Sequence, residues 1–473
     1  MTCTAIEFGR AILLAAVLAG GVPAIYGQSP PAMQEILERL DRLEKNNEAL
    51  LEQVRALRQE ISELKGPVAQ AASAPALSAG DQPPPPAQPA VADRLAVQES
   101  RTDELAQTKV EASQKFPIRI TGMALFNASL NGQYNNNADN PVTASLVPGD
   151  LTGEGTLRQS TIGLLFNGPR TFLGGKVNGS LYMDFFGGST GSLDHLFRIR
   201  TAAVNLEWTN TSFMVGQDKP IISPRDPDSL AQVGVSPLTG AGNLWLWQPQ
   251  VRVEQRFSLG DTSGLVAQAD IFQTSYYDFP MNASLYSPPP SSPQTEYSRP
   301  GAEGRLELWH SWGDTERVEI AGGFHYNRNR VLDAGVPSEV YSLDWFVRPL
   351  AKLEFSGLFF HGQNVSPLGA LEPGFTVYYH SVIPVLSTGG WAQIRVPITS
   401  RLAFDIYGGQ QDQRNSDLYY GGIGKNQGYF SNIMYRLAPN VIVSLEGGQI
   451  RTTYLGIGNR LNNHYDLALA YLF

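Results

Sequence analysis

The sequence has little cysteine and few charged residues. Its one cysteine, Cys3, precedes the first apolar segment, which excludes disulfide bonds from the remainder of the chain. Charged residues make up only 17% of the 473 positions, and the formal net charge is −9. Acids and bases are interspersed, and the absence of a basic stripe argues against a nucleic-acid partner.

Metal-binding and catalytic spacings are also absent from the sequence. The six histidines lack HExxH and similar patterns: His195, His310, His325, His361, His380 and His464. No Ser/His or Asp/His constellation predicts an enzyme, and no cofactor is expected. After residue 27, no apolar run approaches the roughly 18 residues that a transmembrane helix requires.

The N-terminal segment has the regions of a secretory signal peptide. Arg10 precedes a short apolar core, Ala11–Val22, and the small residues Ala24 and Gly27 follow it. This order predicts a cleaved signal peptide over residues 1–27. A retained membrane anchor is the alternative, and the short apolar core argues against it.

A heptad repeat follows over residues 33–65. The a and d positions are Met33, Ile36, Leu40, Leu43, Asn47, Leu50, Val54, Leu57, Ile61 and Leu64. A repeat of about 3.5 residues sustained over this length predicts a coiled coil, because the seam must keep facing a partner helix. Leu37 and Leu51 at e widen the seam and favour three helices. A helix folded back on its own domain is the alternative.

Two segments separate this predicted stalk from the rest of the chain. Residues 66–90 are rich in proline and alanine, with four prolines in a row at Pro83–Pro86, and predict an extended, semi-rigid linker. Residues 91–115 are charged and compatible with a short helix that prolongs the stalk. The main domain is therefore expected to begin at residue 116.

From residue 116 onward, polar and apolar residues alternate with a period of two. In Arg317–Asn327, polar and small residues alternate with Val318, Ile320, Phe324 and Tyr326. Such alternation indicates strands with one apolar face. In "FRIRTAAVNLEW", Arg198 and Arg200 share the parity of Val204 and Leu206. Either a bulge intervenes there, or the arginines lie above the apolar band.

The connections between these strands alternate in length. About 16 strands are expected, and most long connections, over 131–156, 187–196, 220–242, 274–302, 328–337, 362–388 and 412–425, are followed by short turns. A soluble sandwich has no reason to place every long loop at one end, whereas an outer-membrane barrel does. We therefore predict an all-β fold over residues 116–473: a closed, antiparallel transmembrane barrel. With an even number of strands, the first and the last strand of the barrel would both have their chain termini on the periplasmic side.

The inward-facing strand positions are expected to be polar, which implies water in the lumen and no packed apolar interior. The candidates on the wall are Arg252, Glu254, Arg256, Arg305, Glu307, Arg317 and Glu319, together with Asp344, Arg348, Lys352, Glu354, Arg401 and Asp405. The alternative is that most of them are solvated wall residues in cross-strand ion pairs.

The third long connection is the candidate for narrowing the pore. It contains prolines, small residues and a mixed charge cluster formed by Asp218, Lys219, Arg225, Asp226 and Asp228. If it folds inward, acids and bases face each other across the lumen, and such an arrangement selects solutes by charge. An ordinary exposed loop is the alternative.

The order of segments resembles a known family. The chain resembles the DcaP-like trimeric outer-membrane porins, which carry an N-terminal periplasmic coiled coil. The shared order is a signal peptide, a heptad stalk, a Pro/Ala linker, the segment "KVEASQKFPIRITGMALFNAS" that leads into the first strand, and alternating strands that end at Phe473. Phosphate-selective porins O/P are more distant. The resemblance implies a homotrimer in the outer membrane, a third loop that narrows each pore, arginines that attract anionic solutes, and a C-terminal strand with Tyr471 and Phe473 that the barrel-assembly machinery reads.

Three functions follow from these patterns. The first is diffusion of small hydrophilic solutes, anionic or neutral, through a porin; the barrel region is net acidic and has no obvious run of lumen lysines, so phosphate preference is not expected. The second is an outer-membrane anchor whose stalk binds another envelope component. The third is a barrel enzyme, which would need a catalytic constellation at the membrane rim.

Overall fold

The computed structural model describes residues 118–187, 195–273, 300–331, 334–378 and 381–473. The predicted signal peptide, stalk, linker and short helix lie outside the described residues. Within those ranges, no helix is long and apolar enough to cross a membrane.

The described part of the chain is built almost wholly from strands. They are β1 (Ile118–Asn131), β2 (Thr152–Thr156), β3 (Thr161–Arg170), β4 (Lys176–Gly187), β5 (Leu196–Glu207), β6 (Thr211–Asp218), β7 (Gln248–Ser258), β8 (Ser263–Phe272), β9 (Gly301–Ser311), β10 (Arg317–Val331), β11 (Ala334–Leu350), β12 (Leu353–Gln363), β13 (Phe375–Tyr378), β14 (Ser381–Pro384), β15 (Leu386–Pro397), β16 (Leu402–Gln413), β17 (Ile423–Ala438), β18 (Val441–Tyr454) and β19 (Gly458–Leu472). Three short 3-10 helices lie at Phe172–Gly174, Ser366–Leu368 and Asn415–Asp417.

The sheet closes on itself, as predicted. β1 pairs with β19 in antiparallel register, from Met123 opposite Leu472 to Asn131 opposite His464. The other edge of β1 pairs with β2 over one part of its length and with β3 over the other part. These two strands therefore occupy a single strand position in the barrel. Counted in this way, the described strands make a closed antiparallel barrel of 16 strands. β13 and β14 pair with each other in a separate two-stranded sheet.

Short turns and long loops separate to opposite ends of the barrel. The turn end carries residues 171–175, 208–210, 259–262, 312–316, 351–352, 398–401 and 439–440. At the other end, the prediction of a long connection over 328–337 is wrong, because β10 and β11 pair up to Val331 and Ala334. Gly335, a residue type common in loops, lies within β11, where it pairs with Arg330.

The C-terminal strand has an outer face of large apolar side chains, and this face requires an apolar environment. Five alternate residues are between 45% and 56% exposed on the outer surface: Tyr465, Leu467, Leu469, Tyr471 and Phe473. Asp466, Ala468 and Ala470, the intervening residues, are buried on the inside. In water, exposing such a row of large apolar side chains would be unfavourable by roughly 1.5–3 kcal/mol each.

A bulge on β5 resolves the parity of its arginines. Tyr182 pairs with Thr201 and Met183 with Ile199, so Arg200 is the extra residue. The bulge shifts the phase, and Arg198 and Arg200 both reach Asp184 on the inner side. The bulge is therefore the correct alternative.

Candidate functional site

Loop 3, residues 219–247 between β6 and β7, lies inside the barrel and crosses it. Near its start, the Ile221 N–H donates to Glu303 on β9 at 2.7 Å. Farther along, the Asp228 N–H donates to Gln393 on β15 at 2.6 Å, and the Ser229 hydroxyl donates to Glu446 on β18 at 2.7 Å. These contacts lie on different sides of the barrel, so the loop spans the lumen.

The prolines and one glycine of loop 3 explain how its backbone fits against the inner wall of the barrel. Prolines recur at 220, 224 and 227, which disfavours a helix or a strand ladder in this segment. Gly242 has φ of 107°, a conformation that residues with a Cβ rarely adopt. A Cβ on Gly242 would overlap the carbonyl oxygen of Gly390 and lie 2.7 Å from that of Gln410. Loop 3 therefore contacts the backbone of β15 and β16 directly.

The predicted mixed charge cluster is paired, mostly with the wall. Arg225 forms ion pairs with Asp344, at 3.1 Å, and with Glu319. Asp228 lies 2.9 Å from Arg395 on β15. The remaining pairs are Lys219 with Asp226, and Asp218 with Arg252 at 3.3 Å.

A charged cavity of about 740 Å³ lies beside loop 3, on the side of the barrel's short turns. Eight of the predicted wall and loop residues line it: Arg225, Glu254, Arg256, Arg305, Glu307, Arg317, Glu319 and Arg348. Asp314 and Glu316 also contribute to its wall. Since both signs of charge face this space, it can hold water and small polar molecules without a strong field of one sign.

The inner wall near the long loops is not polar throughout. Val340, Phe360, Trp391, Tyr407, Phe430 and Ile450, on β11, β12, β15, β16, β17 and β18, form a buried inner belt. Leu238, Ala241 and Leu244 of loop 3 belong to the same apolar cluster. The prediction that the interior lacks packable apolar residues is therefore wrong for this part of the barrel, where the belt holds loop 3 in place.

Two other wall predictions are wrong. Lys352 and Arg401 lie in short turns and are exposed, because the strands end before or begin after them. Asp405 does face inward, but it is fully buried and lies 3.6 Å from Arg395. Arg348 and Glu354 form an ion pair with each other.

Comparison with known proteins rests on structure alone. No protein-family model and no curated protein sequence matches the chain. Among solved structures, the outer membrane channel DcaP of Acinetobacter baumannii superposes with a TM-score of 0.60 at 15% identity, covering 75% of this chain and 97% of that one. This chain has the fold of an outer-membrane porin. The anion-selective porin from Comamonas acidovorans is also similar, with a TM-score of 0.52, 11% identity and coverage of 75% and 99%.

Sequence analysis singled out Arg198 and Arg200, but it did not predict that they form a row with Arg158 and aromatic rings on the inner wall of this porin fold. Arg158 lies 3.7 Å from the centre of the Phe186 ring, and Arg198 lies 5.1 Å from the rings of both Phe186 and Trp247. Arg200 lies 5.0 Å from the Trp247 ring. Arg158, Phe186 and Trp247 lie outside β5, which carries Arg198 and Arg200, so no local sequence spacing signals the row.

The porin barrel also contains a Ser–His–Glu arrangement that sequence reasoning missed. His325 Nδ1 lies 2.7 Å from Glu303, and its Nε2 lies 3.2 Å from the Ser338 hydroxyl. All three residues are buried. Ser338 donates its proton to the carbonyl of Asn364 at 2.8 Å, so the hydroxyl is not activated by the histidine. This geometry does not favour nucleophilic catalysis.

Proposed function

We propose that this chain is an outer-membrane porin through which small hydrophilic solutes diffuse. The observation that supports this function most strongly is a closed barrel whose loop 3 crosses the lumen beside a charged cavity. The apolar outer surface matches a lipid environment, and closure satisfies backbone hydrogen bonds that lipid cannot.

The residues that would act on a solute lie on loop 3 and the facing wall. We assign the lining and the constriction to Asp218, Lys219, Arg225, Asp226, Asp228, Arg252, Glu254, Arg256, Arg305, Glu307, Arg317 and Glu319. Both charge signs are present in pairs, which supports weak selectivity and small anionic or neutral solutes. The similar Comamonas protein is described as anion-selective, which is consistent with an anionic solute.

Assembly and location are part of the same proposal. The heptad repeat in residues 33–65 supports a homotrimer with a periplasmic stalk, after cleavage of residues 1–27. The linker (66–90) and short helix (91–115) would join the stalk to the outer-membrane barrel. Tyr471 and Phe473, in the exposed apolar row of the final strand, would be read by the barrel-assembly machinery.

A membrane anchor is the second candidate function. The inner belt and loop 3 fill part of the lumen with apolar groups, which favours a barrel that conducts little. In that case the stalk would bind another envelope component, and the barrel would serve as its attachment. Solute flux separates the two functions.

Full-length protein in liposomes is expected to admit small neutral sugars and to exclude large oligosaccharides. The physical reason is that loop 3 leaves a polar but narrow space in the lumen. Liposome swelling in isotonic solutions of arabinose, raffinose and dextran measures this size limit. Liposomes that contain the heat-unfolded protein are the control. Equal and negligible swelling in arabinose with folded and unfolded protein would favour the anchor.

A further inference from the structure

A groove of about 730 Å³ lies on the outer face of the barrel, over β15. Its floor is formed by Gly390 and Ala392, which face outward on either side of the buried Trp391. The outward-facing residues that wall the groove come from β11, β12, β16 and β17: Trp345, Phe359, Gly408, Gln410, Asp412 and Tyr429. Because Asp412 lies near the end of β16, next to a long loop, the groove occupies the half of the barrel nearer the long loops.

Glycines and aromatic rings give the groove its depth. One outward row pairs across five strands, with an aromatic residue at each end and small residues between them: Trp345, Gly357, Ala392, Gly408 and Tyr429. A Cβ on Gly357 would overlap the Trp345 ring, and a Cβ on Gly408 would lie 3.0 Å from the Tyr429 ring. The two rings therefore lie over β12 and β16 and leave β15 uncovered between them. These walls are two strand spacings apart, roughly 10 Å.

Toward the short turns, the groove is continuous with the apolar outer surface. Phe355, Ile394 and Ile406 pair across three strands in the next outward row. Both isoleucines are exposed, as on a surface that lipid covers. Trp345 and Tyr429 then mark the level at which aromatic side chains border the hydrocarbon. An acyl chain can therefore pass from the surrounding lipid into the groove without leaving apolar contacts.

Toward the long loops, the groove opens onto amide and basic side chains. Gln427 on β17 donates to Gln410 at 3.2 Å and to the Tyr429 hydroxyl at 3.0 Å. Arg451 on β18 pairs with Gln427 across the strands, which places it diagonal to Tyr429, roughly 7–8 Å away. Arg451 is exposed and forms no ion pair within the described part of the chain. A guanidinium with available donors therefore lies beside the groove.

The other charges at this rim are paired. Lys425 lies 3.6 Å from Asp412, and Arg414 lies 2.8 Å from Asp417. With the unpaired arginine, three bases against two acids leave one positive charge on this side of the groove. The opposite rim carries Glu339 on β11. An anionic head group is therefore favoured over β17 and β18.

We propose that this groove binds a lipid whose phosphate head group contacts Arg451 and whose acyl chain lies over Gly390 and Ala392. A guanidinium forms strong, charge-assisted hydrogen bonds with phosphate, and basic side chains beside a membrane attract anionic head groups. Because the apolar groove and the basic rim are contiguous, the site selects a lipid over soluble phosphate. The inference goes beyond solute diffusion, since it requires the barrel to lie in a bilayer but not to conduct.

Lipid binding by the delipidated full-length protein in maltoside micelles tests the proposal. Three compounds separate the head group from the chains: dioleoyl phosphatidic acid, dioleoyl phosphatidylcholine and glycerol 3-phosphate. Native mass spectrometry counts the bound lipids and gives their Kd. Phosphatidic acid should bind its tightest site roughly fivefold more strongly than phosphatidylcholine, as expected for one basic side chain near a membrane surface. Glycerol 3-phosphate should not displace it, because it has no acyl chain.

Matched variants test the two parts of the site separately. Arg451→Gln should weaken phosphatidic acid roughly fivefold and leave phosphatidylcholine unchanged. Its control is Arg401→Gln, since Arg401 is equally exposed but lies in a short turn at the other end of the barrel. Ala392→Leu fills the groove and should weaken both lipids. Its control is Ala302→Leu, an exposed outward position on β9.

Equal binding of the two lipids by the wild type, or a wild-type preference in Arg451→Gln, would overturn the head-group contact. Displacement by glycerol 3-phosphate would show a site for soluble phosphate and contradict the lipid. A change in oligomer mass in Ala392→Leu, with lipid binding unchanged, would show that a second copy of the chain covers the groove. If a variant does not fold, the comparison of the three compounds on the wild type still decides. A barrel that conducts nothing would contradict the proposed function and leave this test unaffected.

Discussion

Replacing Gly242 with alanine is expected to detach loop 3 from the wall formed by β15 and β16. The new Cβ would overlap the Gly390 carbonyl, and the backbone conformation at φ of 107° is unfavourable for alanine. Backbone strain and overpacking together cost roughly 2–5 kcal/mol, which is enough to favour undocking over retention of the contact. Limited proteolysis in detergent should then cut within residues 219–247, while the strands remain protected.

Gly304→Ala is the matched control for this substitution. Gly304 also lies in the porin fold, on β9, but a Cβ there meets no atom within 4 Å. This variant should show the wild-type cleavage pattern and thermal unfolding midpoint. If Gly242→Ala is as resistant to protease as Gly304→Ala, loop 3 is not held by the contact with β15 and β16.

Reversing the charge of Arg225 is expected to change both the width and the selectivity of the pore. Arg225 pairs with Glu319 and Asp344 and lies 5.3 Å from the Phe346 ring centre. With Arg225→Glu, attraction becomes repulsion, and breaking such a partly buried pair costs about 3–5 kcal/mol. The charged segment of loop 3 should leave the β10–β11 wall. Reversal potentials in a KCl gradient should shift toward cation selectivity, and single-channel conductance should increase.

Arg256→Glu separates the effect of charge from that of loop position. Arg256 lines the same cavity, but it is 67% exposed and pairs with Glu254 on its own strand. The same change of charge should shift the reversal potential in the same direction without a larger conductance. An equal conductance change in Arg225→Glu and Arg256→Glu would show that Arg225 does not hold the loop.

Much of the barrel could be predicted because its outer surface obeys a local rule. Lipid on one side and polar groups on the other impose a period of two, visible in Arg305 and Glu307 against Leu306 and Leu308. The predicted closure of the barrel requires the C-terminal strand to pair with β1, as it does. The direction of Arg198 and Arg200 required the bulge, which sequence reasoning offered as one of two alternatives.

The interior was less predictable because its contacts are not local. Trp391 and Phe430 occupy inward positions, and they belong to one apolar cluster with residues of loop 3 that lie more than a hundred positions away in the sequence. His325 and Glu303 looked like ordinary polar wall positions, since nothing in their strands signals a shared bond network with Ser338. The charge cluster of loop 3 was visible in the sequence, but its wall partners Arg395 and Asp344 were not assigned to it.

Single-channel recording in planar bilayers tests the central claim most directly, namely that loop 3 restricts a water-filled passage through the barrel. The wild-type chain should produce discrete conductance steps, and Gly242→Ala should produce larger ones in the same salt solution. An absence of steps in both proteins, with their barrels shown to be folded, would contradict a continuous aqueous passage. Steps of identical size would contradict the role of loop 3.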